Sequence, residues 1–221
     1  MSGRTVTPGN GATAGAGSTS QTGTTPQDGA PAKGSDADAV AASTVRAAVR
    51  ALGAGAGSVT LELPDADATR ALGATLAELL RAGDLVILTG DLGAGKTTLT
   101  QGLGRALGVR GQVASPTFII AREHPPLPRQ DGTRGPALVH VDAYRLGGLG
   151  ELDALDLDSS LDESVTVVEW GRGLAEALTE DRLEIDLARP RGGEPDPDDP
   201  ESGVRRATIR GVGERWTGPR A

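Results

Sequence analysis

Cysteine is absent from this chain of 221 residues, which excludes disulfide bridges, thiolate metal sites and cysteine nucleophiles. Aromatic residues are scarce, since the chain has two Trp, one Tyr and one Phe. A long apolar run and a signal-peptide core are also missing after Met1, so we expect a cytoplasmic protein without a membrane segment. Lysine is nearly absent too: among 22 basic residues only Lys33 and Lys96 are lysines, which makes Lys96 conspicuous.

Acidic residues outnumber basic ones, and the formal net charge is -8. Proteins that bind nucleic acid directly do so largely by neutralising phosphates with Lys and Arg. The charge therefore argues against a direct nucleic-acid interface, and we expect any role that involves nucleic acid to be indirect.

The chain has 33 glycines and 14 prolines, a content typical of folded domains that carry disordered stretches. Residues 1–57 are mostly Gly, Ala, Ser, Thr and Pro, which bury too little apolar surface to offset their ordering entropy, so we predict a disordered low-complexity tail. Within it, Ser35–Leu52 has the spacing of a short helix that would fray without tertiary partners, with an apolar side of Val40, Val45, Val49 and Leu52. We predict a folded domain over 58–216, containing an acidic, proline-rich loop at 189–203, and a short C-terminal tail at 217–221.

Apolar periodicity predicts several strands in this domain. Residues 59–63 alternate apolar and polar as in a half-buried strand, and the continuous apolar run Leu85–Leu88 is typical of a central strand buried on both faces. Further strands are predicted at Phe118–Ala121, Leu138–Val141, Val165–Glu169, Leu183–Leu187 and Ala207–Arg210.

Two helices are predicted from apolar residues at intervals of three and four. The first spans Ala68–Arg81, with Asp65 or Asp67 as its cap, and the second spans Lys96–Leu107, with Gly108 at its end. Together with the strands they predict a three-layer α/β fold, with a mostly parallel central sheet and antiparallel strands at the edge.

A phosphate-binding loop follows the strand Leu85–Leu88 directly. The sequence Gly90–Thr97 matches G-x-x-x-x-G-K-[ST] without a gap, between a predicted strand and a predicted helix, so the fold is predicted to be that of a P-loop NTPase. Backbone N–H groups of such a loop point at phosphate oxygens, the lysine contacts the outer phosphates, and the hydroxyl of Thr97 is offered to Mg²⁺. We predict that ATP and Mg²⁺ bind here, to Gly90, Asp91, Leu92, Gly93, Ala94, Gly95, Lys96, Thr97 and Thr98.

A P-loop also needs an acidic group that holds Mg²⁺ directly or through water. Asp142 and Glu169 both end a predicted strand, and the residues alone do not decide between them. The segment Ser115–Phe118 could form a switch in which Thr117 senses the metal or the terminal phosphate, although a Ser-Pro turn into a strand is the commoner meaning of such a sequence. Trp170 could stack on a base, but packing at the edge of the pocket is its default role.

Four motifs in this order resemble the TsaE family of bacterial tRNA-modification ATPases. They are Gly-Asp-Leu-Gly-Ala-Gly-Lys-Thr-Thr at Gly90–Thr98, Ser-Pro-Thr-Phe at Ser115–Phe118, His-Val-Asp-Ala-Tyr-Arg-Leu at His140–Leu146 and Val-Glu-Trp at Val168–Trp170. The resemblance covers about Ser58–Trp216 and leaves the N-terminal tail unexplained. The chain departs from the family pattern in its long N-terminal tail and its expanded acidic loop. Neither departure includes a residue proposed to bind the nucleotide or Mg²⁺.

The resemblance implies a small ATPase that works with TsaD and TsaB in making threonylcarbamoyladenosine in tRNA, and that contacts tRNA only indirectly. Lys96 would hold phosphates and Trp170 would lie near the nucleotide. Thr97 and Glu169 would serve Mg²⁺, and the residues implied in catalysis would be Asp142, Thr117 and Glu169.

Two alternatives use the same loop differently. A small-molecule kinase would need an arginine-bearing lid, and the only obvious stretch, Pro125–Pro136, is short and rich in Pro and Gly although it contains Arg129 and Arg134. A nucleotide-gated binding module, in which hydrolysis is incidental, would need the same residues as an ATPase, so the sequence does not separate the two.

Overall fold

The computed structural model describes residues 35–116, 120–189 and 203–218. Residues 1–34 of the predicted disordered tail lie outside this described part, as do the residues 219–221 of the predicted C-terminal tail. All the elements below belong to one unit, which spans Gly34–Ala221.

Seven strands form one sheet in the order β1-β7-β6-β2-β5-β4-β3. The four central strands, β6, β2, β5 and β4, are parallel to one another. At one edge β7 pairs antiparallel with β6 and β1 pairs antiparallel with β7, and at the other edge β3 pairs antiparallel with β4. This arrangement confirms the predicted sheet. The strands are β1 (Ser58–Leu63), β2 (Leu85–Thr89), β3 (Ala121–His124), β4 (Ala137–Asp142), β5 (Ser164–Glu169), β6 (Arg182–Ala188) and β7 (Arg205–Val212).

Helices cover both faces of the sheet and so complete the three predicted layers. They are α1 (Ser35–Gly53), α2 (Ala66–Leu76), α3 (Lys96–Leu107), α4 (Leu149–Asp153), α5 (Asp158–Leu161) and α6 (Glu214–Thr217), with single 3₁₀ turns at Ala143–Arg145 and Ala175–Ala177. Strand β2 shows the layering, because Val86 and Leu88 join the core beneath α1, α2 and α3, while Leu85 and Ile87 join the core beneath the shorter helices. The continuous apolar run therefore reports burial on both faces, as predicted.

The helix α1 corrects the predicted domain boundary. Val45, Val49 and Leu52 are buried in the same core as α2 and β1, so the part 35–53 of the predicted disordered tail is a packed helix. Val40, which was expected on the apolar side, is 66% exposed. The helix itself was predicted, at Ser35–Leu52, but its packing was not, because an Ala-rich helix is marginal alone. The apolar faces of α2 and β1 supply the partners that the local sequence does not reveal.

The helix α3, which follows the P-loop, packs tightly against α2. Asp65 caps α2, since its Oδ1 accepts a hydrogen bond of 2.7 Å from the backbone N–H of Ala68. The helix ends at Leu76 instead of the predicted Arg81, and the carbonyl oxygen of Leu79 in the following turn accepts a hydrogen bond from Arg215. A Cβ added at Gly102 of α3 would lie 2.0 Å from the backbone oxygen of Arg70, so the two helices meet at backbone distance.

Two segments of the sequence prediction fall partly outside the described residues. The strand predicted at Phe118–Ala121 is found at Ala121–His124, and residues 117–119 are not described. The acidic loop predicted at 189–203 is described only at its two ends, and the strands that it joins, β6 and β7, are antiparallel neighbours. Within the described ranges, no helix has the length and apolar character needed to cross a membrane.

Candidate nucleotide site

The P-loop joins the carboxyl end of β2 to the first turn of α3. Gly95 precedes α3 with a φ of 102°, a conformation that favours glycine, and it has no side chain with which to cap the helix. Gly90, with a φ of 147°, lies against β6, because a Cβ there would come within 2.3 Å of the carbonyl oxygen of Leu187. A side chain at either glycine would strain the backbone or collide with a neighbour. The loop therefore depends on glycine for a backbone path that can wrap around phosphates.

Lys96 is held inside this loop by its ammonium group. Nζ donates hydrogen bonds to the carbonyl oxygens of Gly90, at 2.7 Å, and Asp91, at 3.0 Å. Burial lowers the pKa of Lys96 from its ordinary value of 10.5, while the negative charges of Glu169, Asp142 and Asp91 oppose this shift. The ammonium is therefore fixed at the floor of the loop, where a lysine meets the outer phosphates of a bound nucleotide.

Thr97 and Glu169 meet directly beside Lys96. The hydroxyl of Thr97 donates a hydrogen bond of 2.9 Å to Oε1 of Glu169, although the two residues are 72 positions apart. Strand β5, which carries Glu169, is paired in parallel with β2, so its carboxyl end reaches the start of the P-loop helix. The structure thus brings together the two residues predicted to serve Mg²⁺.

His140 supports the same carboxylate from β4. Its Nε2 lies 2.8 Å from Oε1 of Glu169, and both side chains are almost completely buried. A carboxylate only accepts hydrogen bonds, so we assign the proton of the imidazole to Nε2. Nδ1 is buried and has no hydrogen-bond partner among the described residues. His140 therefore orients Glu169 instead of facing a ligand itself.

Asp142 lies next to Glu169 at the end of β4. The Cα atoms of the two residues are partners in the β4–β5 register. Oδ1 of Asp142 accepts a hydrogen bond of 3.1 Å from the backbone N–H of Tyr144, and Oδ2 lies 3.4 Å from the hydroxyl of Ser115. Asp142 thus borders the site beside the segment that contains the proposed switch. Thr117 itself lies outside the described residues.

Trp170 has an unusual backbone conformation for a bulky residue, with a φ of 61°. Its backbone N–H donates a hydrogen bond of 2.9 Å to the carbonyl oxygen of Leu88, which ties it to the strand before the P-loop. The indole ring lies 3.8 Å from Nζ of Lys96, and its centroid is 5.1 Å from that of the Tyr144 ring. Such strain is found where surrounding structure enforces a position needed at a site.

Most of the residues described above border a cleft of about 560 Å³, which is within the range of small-molecule sites. Its lining consists of Leu92, Gly93, Gly95, Lys96, Thr97, Thr98, Ser115, Asp142, Tyr144, Arg145, Glu169, Trp170 and Arg205. Gly90, Asp91 and Ala94, which we also predicted to bind nucleotide, belong to the loop but not to this lining. The side chain of Ala94 is buried in the core, and its N–H donates a hydrogen bond to the carbonyl oxygen of Asp91.

Arg205 is the one residue of this lining that no pattern in the sequence predicts. It follows the acidic loop, belongs to none of the four motifs, and is one of many arginines in the chain. Its position depends on the pairing of β7 with β6 and β1, which no local pattern reports.

The donor set fits magnesium bound together with phosphates. In the described ranges, no group of three or more His, Asp or Glu side chains is arranged to hold a metal ion. Mg²⁺ does not require such a group, because it is commonly held by one or two protein oxygens, phosphate oxygens and water. The adjacent oxygens of Thr97 and Glu169 are of this kind.

The fold and the site together define a nucleotide-binding protein of the P-loop class. Residues 63–194 match the family model described as threonylcarbamoyl adenosine biosynthesis protein TsaE. The chain therefore belongs to the TsaE family.

Individual relatives agree with this assignment. The chain is 61% identical to the tRNA threonylcarbamoyladenosine biosynthesis protein TsaE of Streptomyces coelicolor, over 66% of this chain and 93% of that protein. It is 36% identical to the protein of the same name from Bacillus subtilis, over 67% of this chain and 82% of that protein. A crystal structure of Bacillus subtilis YdiB resembles it with a TM-score of 0.52 and 31% identity, covering 72% of this chain and 88% of that one.

Proposed function

We propose that this chain binds ATP with Mg²⁺, hydrolyses it, and acts as an accessory protein of TsaD and TsaB in making threonylcarbamoyladenosine in tRNA. The observation that carries the proposal is the contact between Thr97 and Glu169 beneath a complete P-loop. It joins a residue at the start of the phosphate-binding helix to an acid at the end of the neighbouring strand, the arrangement that P-loop ATPases use for their metal.

Each residue has a distinct role in this proposal. The backbone of the P-loop and the ammonium of Lys96 bind the phosphates, and Thr97 and Glu169 hold Mg²⁺, which when bound neutralises charge that develops on the phosphates. Asp142 accepts a proton from the attacking water, and His140 keeps Glu169 in position. Thr117 remains our proposal for the switch residue.

Trp170 lies near the terminal phosphates in this proposal. Lys96 is the residue that contacts the outer phosphates of a P-loop nucleotide, and the indole ring covers its ammonium. A base at the nucleoside end would be farther from Trp170 than the phosphates are. The position of the ring therefore favours a role beside the reacting phosphate over stacking on a base.

The acidic net charge supports an indirect role at tRNA. An ATPase that acts on a protein complex needs a switch and an interface but no basic groove of its own. The kinase alternative gains no support, because none of the residues that line the cleft belongs to Pro125–Pro136, the candidate lid. Its Arg129 lies instead near Gly135, beside the carbonyl oxygen of Leu107 at the far end of α3.

Equilibrium binding and phosphate release test the proposal. The wild-type chain is expected to bind ATP in a Mg²⁺-dependent manner and to release inorganic phosphate faster when TsaD and TsaB are present. Lys96→Ala should weaken ATP binding by roughly 10- to 100-fold, because it removes a charged hydrogen-bond donor. Lys33→Ala, which removes the other lysine of the chain, is the matched control. Wild-type affinity in Lys96→Ala would contradict the proposal.

A second experiment separates the ATPase from the nucleotide-gated module. Glu169→Gln is expected to bind ATP but to hydrolyse it poorly. In a strain that lacks its own TsaE, this variant should fail to restore the tRNA modification. Restoration would show that binding alone suffices, and would favour the gated module.

A further inference from the structure

Two buried ring nitrogens lack a hydrogen-bond partner among the residues that the structure describes. They are Nδ1 of His140 and Nε2 of His124, and the two residues are 0% and 2% exposed. Buried polar atoms in folded proteins are nearly always bonded, either to protein groups or to ordered water, because nothing else compensates for their loss of solvent. Each of these two nitrogens therefore calls for a hydrogen-bond donor.

The sheet register places both rings on one face of neighbouring strands. Arg122 of β3 is paired with His140 of β4, and His124 is paired with Leu138, so the two histidines are diagonal neighbours. Ring side chains are long enough to meet across such a diagonal. The face is the one beneath α3, since a Cβ added at Gly104 of that helix would lie 3.1 Å from Cδ2 of Leu138. The two rings thus share one buried space.

The contact of His140 with Glu169 determines where its other nitrogen lies. Glu169 is on β5, on the opposite side of β4 from β3. The two nitrogens of an imidazole lie on opposite edges of the ring, so Nδ1 is on the side of β3 when Nε2 meets Glu169. Because Nε2 carries the proton, Nδ1 has a lone pair and accepts a hydrogen bond.

The contact of His124 with Arg110 has the same consequence for the second ring. Nδ1 of His124 lies 3.3 Å from the carbonyl oxygen of Arg110, which only accepts, so we assign the proton to Nδ1. Burial lowers the pKa of His124 from 6.5, so the ring is neutral at neutral pH and Nε2 has a lone pair. The backbone N–H of Arg110 is bonded to Pro125, beyond the end of β3. Nε2 therefore lies on the opposite edge, on the side of His140.

Two lone pairs that face each other cannot form a hydrogen bond, but one water molecule can donate a hydrogen to each. We infer that a single buried water bridges Nδ1 of His140 and Nε2 of His124, and that His124 is thereby a positioning residue for Glu169. The described residues offer no third side chain that would complete a metal site at this place. Two polar partners are enough to hold a buried water.

The bridge connects both ends of the P-loop helix to one carboxylate. Thr97, in the first turn of α3, donates to Glu169, and Arg110, just after the end of α3, accepts from His124. With the water in place, His140 is held on both edges, so its Nε2 stays directed at Glu169. The consequence for Mg²⁺ rests on the proposed function, whereas the water itself does not.

A high-resolution crystal structure of the wild-type chain tests the water directly. We expect one water oxygen within hydrogen-bonding distance, roughly 2.7 to 3.2 Å, of both ring nitrogens. A protein donor or a metal ion in that place, or rings too close together to admit a water, would overturn the inference. This measurement also decides the matter if a substituted chain does not fold.

Binding of Mn²⁺ to the chain saturated with ADP, followed by electron paramagnetic resonance, tests the positioning role. His124→Phe keeps a ring but no acceptor, and should weaken Mn²⁺ binding roughly 2- to 10-fold, the usual effect of one neutral hydrogen bond. His124→Gln can donate to the carbonyl oxygen of Arg110 and accept from the water, so it should bind Mn²⁺ nearly as the wild type does. Arg122→Ala, on the same face but exposed, is the matched control.

A double variant separates positioning from a general loss of structure. His124→Phe should have no further effect on Mn²⁺ binding when His140 is already Phe, because the two residues act through one line of contacts. Independent effects of the two substitutions, or wild-type Mn²⁺ affinity in His124→Phe, would overturn the positioning role and leave the proposed function intact. A wild-type chain that binds neither ADP nor Mn²⁺ would refute the proposed function, and with it the role of His124 in metal binding.

Discussion

Glu169 and Asp84 are both nearly buried acids, 3% and 4% exposed, but they lie at opposite ends of the central strands. Asp84 precedes β2 at the amino edge of the sheet. Its Oδ2 accepts hydrogen bonds from the backbone N–H of Arg81, at 2.9 Å, and from the guanidinium of Arg215, at 3.1 Å. Glu169 ends β5 at the carboxyl edge, where its contacts are an imidazole and a hydroxyl.

The difference shows how burial alone fails to identify a functional acid. Asp84 is matched by a buried guanidinium, and Arg215 is further fixed by the carbonyl oxygen of Leu79 and by the ring of Trp216, 4.2 Å away. These contacts hold the helix α6, which contains Arg215, against the start of β2. Glu169 instead borders a cleft beside Lys96. We expect the first acid to serve stability and the second to serve chemistry.

The largest expected effect is on folding, at Asp84. Asp84→Ala leaves the buried charge of Arg215 without its carboxylate, which should reduce the free energy of unfolding by about 3 to 5 kcal/mol. Urea unfolding followed by circular dichroism measures this loss. The double variant Asp84→Leu with Arg215→Met should recover much of it, because an apolar pair leaves no buried charge. If Asp84→Ala were as stable as the wild type, the stabilising role that we expect for Asp84 would be wrong.

Glu169→Gln should show the opposite pattern. The amide retains the size of the side chain but loses the charge that we propose to hold Mg²⁺, so phosphate release should fall roughly 100-fold. Its free energy of unfolding should change less than that of Asp84→Ala. Single-turnover phosphate release and urea unfolding of the same preparation measure both quantities. A stable variant that hydrolyses ATP at the wild-type rate would contradict the role given to Glu169.

Substitution of His140 should weaken the binding of Mg²⁺ more than the binding of the nucleotide. His140→Phe removes the Nε2 donor that orients Glu169, and the loss of such a supporting contact typically weakens metal binding by about 10- to 100-fold. His140→Gln can still present an N–H donor and should lose less. Titration of activity with Mg²⁺ measures the change, with metal-free ADP binding as the control. Equal Mg²⁺ dependence in the Phe variant and the wild type would show that Glu169 needs no such support.

The smallest expected effect concerns His124, away from the cleft. Burial lowers its pKa from 6.5 and the positive charge of Arg122 acts in the same direction, although the hydrogen bond with the carbonyl oxygen of Arg110 opposes the shift. The unfolded chain therefore takes up this proton first, and stability should fall as the pH decreases below 6.5. His124→Gln should flatten the dependence of the urea midpoint between pH 7.5 and pH 5.5. If the urea midpoint of the variant depended on pH as steeply as that of the wild type, groups other than His124 would cause the dependence.

The sequence was sufficient where several local signals agree. The apolar run of β2, the glycines of the loop and the spacing of leucines in α3 each predict the same strand, turn and helix. It was insufficient where position depends on pairing between distant segments. The burial of α1 requires α2 and β1, and the contact of His140 with Glu169 requires the β4–β5 register. Arg205 carries no local signal at all.

The most direct test of the central claim is a crystal structure of the full chain with Mn²⁺ and a non-hydrolysable ATP analogue. The anomalous signal of Mn²⁺ reports the metal position independently of the phosphates. We expect the metal at Oγ1 of Thr97, with Glu169 bound to it directly or through one water, and the outer phosphates at Nζ of Lys96. A metal or a triphosphate found away from Gly90–Thr97 would contradict it.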